Sequence, residues 1–181
     1  MPQRERVIVR SAIADDMPAV AAIYGYHVTR DTASFELTAP TDTEMHSRYD
    51  AAIAANYPFL VAVDAAVEIV GYAYAGPYRS RPAYRYTVEN SVYVARDRVG
   101  RGIGYALLAA LIDACEARGF RQMIAIIGGA DNVASIALHK RHGFVEAGRL
   151  SGVGRKFDRW LDTVLMQRSL GLGAALPPLR L

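Results

Sequence analysis

The sequence predicts one α/β domain, a mixed sheet with helices on both faces. Three observations predict it. Short apolar runs alternate with segments of helical periodicity in the order β-α-α-β-β-β-α-β-α-β-β. The run MIAIIG, Met123 to Gly128, is apolar without a break, the pattern of a central strand covered on both sides. The chain has 181 residues, 52% of them apolar, which suits a single sizeable core. The domain is expected over residues 1–170, with GLGAALPPLRL (residues 171–181) as a flexible tail.

Each element has a local reason. Val7 to Arg10 reads as the first strand. Asp15 or Asp16 can cap a helix running to about His27, with Pro18 tolerated in its first turn. Phe35 follows in a loop. Thr41 and Glu44 have the spacing of a capping box and open a helix to about Asn56. PFLVAVDAAVEIVGYAYAG reads as a hairpin turning near Asp64 to Ala66. An arginine-rich loop, PYRSRPAYRY, precedes a strand from Val88 to Ala95. Three glycines lead into a helix, Gly102 to Arg118, with Leu107, Leu108, Leu111, Ile112 and Cys115 on its apolar side and Gly119 as its stop. After MIAIIG, Asp131 or Asn132 caps a helix ending at His142, and Gly143 suits a left-handed end. FVEAGRL and DTVLMQRSL are the final strands.

Charge and composition exclude several classes. No run of about 18 apolar residues is present to cross a membrane. MPQRERVIVR lacks the apolar centre and cleavage site of a secretory signal. The net charge is +3, but the arginines are scattered rather than gathered into a nucleic-acid stripe. A small anionic ligand is the more economical partner. The lone Cys115 cannot form an internal disulfide, so a reducing cytoplasm is expected.

The glycines Gly100, Gly102 and Gly104 sit where a strand hands over to a helix. Such a turn exposes unpaired N–H groups at the positive end of the helix dipole, with no Cβ to keep a phosphate away. Arg101 adds charge beside it. On these residues alone an ordinary turn and a phosphate nest both fit. The Gly-Lys-Ser/Thr ending of a P-loop is absent, and the glycines come too late in the chain for an opening dinucleotide-binding unit. Some 30 residues on, Asn132 and His139 lie seven apart and so share a helical face. A ligand with a pyrophosphate and a long arm fits between two such strand ends.

The paired segments VYVARDRVGRGIGYALL and NVASIALHKRHGF resemble the coenzyme A signature of the GCN5-related N-acetyltransferases. A closer resemblance runs from about Val7 to Leu170. VRSAIADDMPAVAAIYGY, SFE at Ser34 to Glu36, VENSVYV and VGRKFDRWLDTVLMQ are together similar to the phosphinothricin/methionine sulfoximine N-acetyltransferases. That likeness implies the acyl-CoA N-acyltransferase fold, with a mostly antiparallel sheet. It also implies direct acetyl transfer from acetyl-CoA to the α-amine of a small glutamate-like amino acid, without a metal, by a homodimer. The alternatives kept open are another small amine or a peptide N-terminus as acceptor, and a non-catalytic coenzyme A-binding regulatory domain.

The resemblance also distributes roles. Glu89 stands in a strand that otherwise wants burial, so it needs a partner or a task. Its own residues allow an ion pair with Arg79, Arg81 or Arg85; the family places the general base here. His139 reads alone as a surface or packing residue, and by resemblance as the acid for the leaving thiolate, with Tyr93 as second candidate. Val92, Tyr93 and Val94 are expected to pair their backbone with pantetheine, an N–H near Val94 polarising the thioester. Gly100, Arg101, Gly102, Ile103, Gly104, Tyr105, Asn132 and Arg141 complete the implied cofactor site. Arg79, Ser80 and Arg81 would hold the acceptor's acidic ends, Asn90 and Ser91 would lie beside its amine, and Phe35 would wall the pocket. In GRKFDRW, Lys156 reads as a surface charge and Phe157 and Trp160 as core; in dimeric relatives this loop lies near the pocket. The chain departs from the pattern at Val99, where the family's loop usually carries Gln or Arg.

Overall fold

The computed structural model describes residues 6–177. Its elements follow the predicted order: β1 (Ile8–Ser11), α1 (Met17–Arg30), α2 (Asp42–Ala54), β2 (Phe59–Val63), β3 (Ile69–Pro77), β4 (Thr87–Val94), α3 (Ile103–Ala117), β5 (Gln122–Gly128), α4 (Val133–Arg141), β6 (Val145–Lys156) and β7 (Arg159–Ser169). Among the described residues the strands form one sheet in the order β1-β2-β3-β4-β5-β7-β6. Only β4 and β5 run parallel; every other neighbouring pair is antiparallel. The expected mixed, mostly antiparallel sheet is therefore present.

Each face of the sheet is sealed by its own helices. On one side α3 buries Ile103, Leu107, Leu108, Leu111 and Cys115 against Val88, Met123, Ala125, Val164 and Met166. On the other, Met17, Val20, Tyr24 and Val28 of α1 and Met45 of α2 cover Phe59, Val61 and Tyr72. The hairpin of β2 and β3 turns where the sequence placed it. Asp64 Oδ1 accepts from the N–H groups of Ala66 and Glu68, at 2.9 and 3.0 Å. Thr41 caps α2 by accepting from Glu44 N–H at 3.2 Å, while the Glu44 carboxylate pairs with Arg48 rather than closing a capping box. No helix among the described residues is long and apolar enough to cross a membrane.

Two local expectations differ. Asp16 does not cap α1 with its side chain. It accepts from Ile13 N–H at 2.9 Å and takes the Arg10 guanidinium in a fork at 2.7 and 2.8 Å, fixing the end of β1 to the start of α1. Strand β6 continues six residues past Leu150, to Lys156, and turns through Phe157 and Asp158, both left-handed (φ 50° and 57°). Two left-handed residues are what a two-residue hairpin needs, and Phe-Asp carries no glycine to announce it. In the stretch expected as a tail, residues 171–177 make two tight turns and Pro177 O accepts from Arg121 Nη2 at 3.2 Å. Residues 178–181 lie outside the described residues.

The Arg10–Asp16 fork yields a stability prediction. The pair holds the Asp16 carboxyl below its ordinary value of 3.8. Its contribution is present above that value and is lost as acid protonates the folded carboxylate. Because Arg10 is partly exposed, Asp16→Asn should cost roughly 1–2 kcal/mol at pH 7. Chemical denaturation of both proteins should show that gap closing below about pH 4.

Candidate active site

The site begins where the sheet comes apart. Strand β4 pairs with β3 along its length, from Val88 to Val94. Its parallel pairing with β5 stops at Asn90 opposite Ala125. Ala95 N–H turns to Val70 O on β3, so by alternation the N–H groups of Val92 and Val94 face the edge that β5 has left. A cavity of about 1130 Å³ opens there. Of the residues expected at the site, its lining includes Phe35, Glu89, Asn90, Ser91, Val92, Tyr93, Val94, Gly100, Gly102, Ile103, Gly104, Tyr105, Asn132, His139 and Arg141.

The glycine turn forms one end. Gly100 and Gly102 are left-handed (φ 84° and 88°), a conformation that costs about 1–2 kcal/mol for a residue with a Cβ. Gly102 is the N-cap of α3 and offers no side chain, so the helix's first N–H groups stay open toward the cavity. Val99 is half exposed and apolar. Arg98 beside it reaches Asp64 at 3.2 Å, Glu68 at 3.6 Å and Asp97 at 3.2 Å, bracing the turn against the β2–β3 hairpin. Arg101 lies outside the lining, its Nη2 donating to Asp97 O at 2.9 Å. Asn132 serves α4 as a cap, accepting from Ser135 N–H at 3.2 Å.

Glu89 and Asn90, adjacent on β4, point to opposite faces. Glu89 has no ion pair or hydrogen bond among the described residues. Burial raises its pKa above the ordinary carboxylate value, while the charge of Arg79 works the other way. Asn90 is buried on the far face. Its Nδ2 donates to Ile124 O at 3.0 Å, and its Oδ1 lies 3.0 Å from His139 Nε2. The other ring nitrogen lies 2.8 Å from Ser135 O. His139 is 4% exposed, and burial lowers its pKa, with the Ser135 carbonyl opposing and His142 adding to the fall. This ring has places for two protons and holds the second one weakly. Tyr93 points toward α1, edge-on to Tyr24 at 5.0 Å, and burial raises its pKa well above the ordinary value.

The wall on the Glu89 face is built from α1 and the following loop. Tyr24 Oη and Ser34 Oγ are 2.8 Å apart, and Glu36 takes Arg48 in a fork at 2.7 and 3.2 Å. Lys156 is not a surface charge. It is buried, and its Nζ donates to Ser34 O at 2.6 Å. Phe157 and Trp160, read from the sequence as core, are exposed. The Phe35 ring lies in a cradle of two glycines the sequence did not single out. A Cβ on Gly154 would stand 2.3 Å from Phe35 Cε2, and one on Gly128 2.6 Å from Phe35 Cε1. Thr163, cross-strand from Gly128, also lines the cavity. Arg79, Ser80 and Arg81 do not: they are exposed on the β3–β4 loop, Arg79 stacked on Tyr78 at 4.6 Å.

A fork between two parallel strands, with an open helix N-terminus at one end and a half-buried carboxylate beside it, defines a class. Residues 17–144 match the model of the acetyltransferase (GNAT) family, and the chain belongs to that family. It is 51% identical over 170 residues, 94% of this chain and 86% of the relative, to a phosphinothricin N-acetyltransferase of Alcaligenes faecalis. It is 43% identical over 162 residues, 90% and 94% of the two chains, to an L-methionine sulfoximine/L-methionine sulfone acetyltransferase of Pseudomonas paraeruginosa. A crystal structure of a phosphinothricin acetyltransferase from Sinorhizobium meliloti in complex with AcCoA superposes with a TM-score of 0.94 at 44% identity, covering 96% of this chain and 94% of that one. The protein is an N-acetyltransferase.

The glycine cradle can be tested directly. Gly154→Ala should expel the Phe35 ring from its seat and lower the melting temperature by a few degrees, the cost of overpacking by one methyl. A crystal structure of the variant with Phe35 unmoved would contradict it.

Proposed function

We propose that the protein transfers the acetyl group of acetyl-CoA directly to the α-amine of a small glutamate-like amino acid such as phosphinothricin or methionine sulfoximine. The observation that carries this reading is the unpaired Glu89 carboxylate beside the open edge of β4. Relatives named for both substrates at 43–51% identity support it. Pantetheine would pair with the vacated edge at Val92 and Val94, and the pyrophosphate would meet Gly100 to Gly104 at the start of α3. The acceptor would lie on the Glu89 face, against Phe35 and Ser91, with Arg79 to Arg81 closing on its acidic ends.

The chemistry follows from the charges. An α-ammonium must lose a proton before it attacks a thioester, and a carboxylate with a raised pKa takes one more readily than an ordinary one. Attack on the thioester carbonyl places charge on its oxygen, which the Val94 N–H can meet. Collapse releases the thiolate. His139, across β4 from Glu89, is the proposed proton source: burial makes its doubly protonated form the minor one and a strong acid, and Ser135 O and Asn90 Oδ1 are placed to accept from both ring N–H groups of that form. We assign the exposed apolar side chains of the β6–β7 hairpin, Leu150, Val153, Phe157 and Trp160, to a homodimer contact that sedimentation would detect. The buried single Cys115 suits the cytoplasm.

Thiol release from acetyl-CoA, followed across a panel of amino acids and glutamate analogues, tests the reading. Turnover is expected with the glutamate-like members, and binding of acetyl-CoA without release on any amine would favour a regulatory domain. Glu89→Gln should lower kcat by about two orders of magnitude or more while leaving acetyl-CoA affinity unchanged. Wild-type activity should fall on acidification at a pH above the ordinary carboxylate range, because the raised pKa removes the base early. His139→Ala should reduce kcat by roughly tenfold or more. Arg81→Ala should raise KM for the amino acid far more than for acetyl-CoA.

A further inference from the structure

On the α1 side of β4 sits a second histidine that the sequence did not single out. His27 occupies the last turn of α1, its side chain 12% exposed. Its Nδ1 lies 2.7 Å from Asp31 Oδ2 and its Nε2 lies 2.9 Å from Val94 O. A backbone carbonyl cannot donate a hydrogen bond. The Asp31 carboxyl is held below its ordinary value, with His27 among the causes, so it is ionised and cannot donate either. Both ring nitrogens thus face acceptors alone, an arrangement that the doubly protonated imidazolium satisfies in full.

The two partners belong to different halves of the site. Val94 ends the strand whose edge β5 has vacated, and its C=O faces that edge together with its N–H. Asp31 opens the loop that walls the other side. Its second oxygen accepts from Ala33 N–H at 2.9 Å, just before Ser34 and Phe35. One cation thus spans from the cofactor strand to the acceptor wall. Around it stand Tyr93 of β4 with ring centroids at 5.4 Å, Tyr26 of α1 at 5.7 Å, Arg96 after β4, and Lys156 of β6 acting on Asp31.

We propose that His27 is a positioning residue for acetyl transfer, which in its doubly protonated form ties the open end of β4 to the acceptor loop and fixes both half-sites together. The proposal rests on the reading of the cavity as an acetyl-CoA and amino-acid site. His27 does not line that cavity and touches no reacting atom; it acts through the Val94 peptide and through Asp31. Burial pulls its pKa down and Arg96 adds to that, but Asp31 and the Val94 carbonyl outweigh them, and the net direction is upward. The bracket is accordingly in place below the raised value and is released as pH climbs through it.

The test is calorimetric acetyl-CoA binding from pH 6 to 10 on wild type, His27→Gln and Asp31→Asn, with steady-state kinetics on the same proteins. Wild-type affinity should hold at neutral pH and weaken on the alkaline side as His27 loses its proton. His27→Gln should bind roughly tenfold more weakly at pH 7, the scale of one charged hydrogen bond, and show no alkaline bend. KM should rise for both substrates with a smaller change in kcat. Asp31→Asn keeps an acceptor for Nδ1 but removes the charge, so its bend should move to lower pH even if His27→Gln fails to fold. Wild-type affinity and an unshifted bend in either folded variant would overturn the role of His27. Wild type that binds acetyl-CoA but acetylates no amine would overturn the functional reading and leave the binding arm to judge His27. Wild type that does not bind acetyl-CoA would overturn both.

Discussion

The parallel pairing of β4 with β5 stops at Asn90, and the rest of the site depends on where it stops. Up to that residue the sheet is continuous and closed. Beyond it, β4 keeps β3 on one side and has an unpaired edge on the other. Asn90 marks the apex, and its side chain buckles three elements there, bonding Ile124 O of β5 and the His139 ring of α4. A buried amide left unsatisfied at this point would cost more than the bonds gain in isolation, so the buckle is specific about where the strands part.

The parting makes a two-sided strand. Glu89 looks toward α1 and the loop that carries Phe35, while Asn90 and His139 look toward α4. Burial acts on the two titratable groups in opposite directions: Glu89 binds its proton more tightly and His139 more weakly. The proposed base and the proposed acid are thereby separated by a single strand, with the vacated edge between them. The helix α3 contributes its N-terminal field from beyond the end of the same strand, because Gly100 and Gly102 let the chain turn sharply into it. His27, in the doubly protonated form proposed above, adds a titratable positive charge behind Val94. The proposed chemistry is concentrated along the eight residues of β4 because each neighbour of that strand supplies a different electrostatic condition.

Much of this was legible in the sequence. The element order, the Asp64 turn, the Thr41 cap, the left-handed Gly119 and Gly143 and the apolar stripe of α3 all follow from local chemistry, and local chemistry is what sequence reports. Strand alternation already set Asn90 on the face opposite Glu89, yet resemblance placed it beside the acceptor amine; the structure puts its side chain against His139. What remained hidden depends on contacts across long sequence distance. Lys156 reads as a surface charge until Ser34 O, 122 residues away, accepts a hydrogen bond from its Nζ. Gly128 and Gly154 are unremarkable until the Phe35 ring lies between them. The end of β6 was missed because that edge strand is exposed on both faces and shows no alternation, and because its turn is built from Phe157 and Asp158 instead of Asn-Gly. Val99 is accounted for in part: Arg98, the neighbouring cation, is engaged with Asp64 and Glu68, which leaves the turn's backbone as its main offering to an anion.

Amide hydrogen exchange along β4, with and without acetyl-CoA, tests the open edge most directly. In the free protein the amides of Val88 and Asn90, which face β5 before the fork, should exchange slowly, and those of Val92 and Val94 quickly. Acetyl-CoA should slow Val92 and Val94 selectively. Equal protection of all four amides in the free protein, or no change at Val92 and Val94 on saturation with acetyl-CoA, would contradict the account.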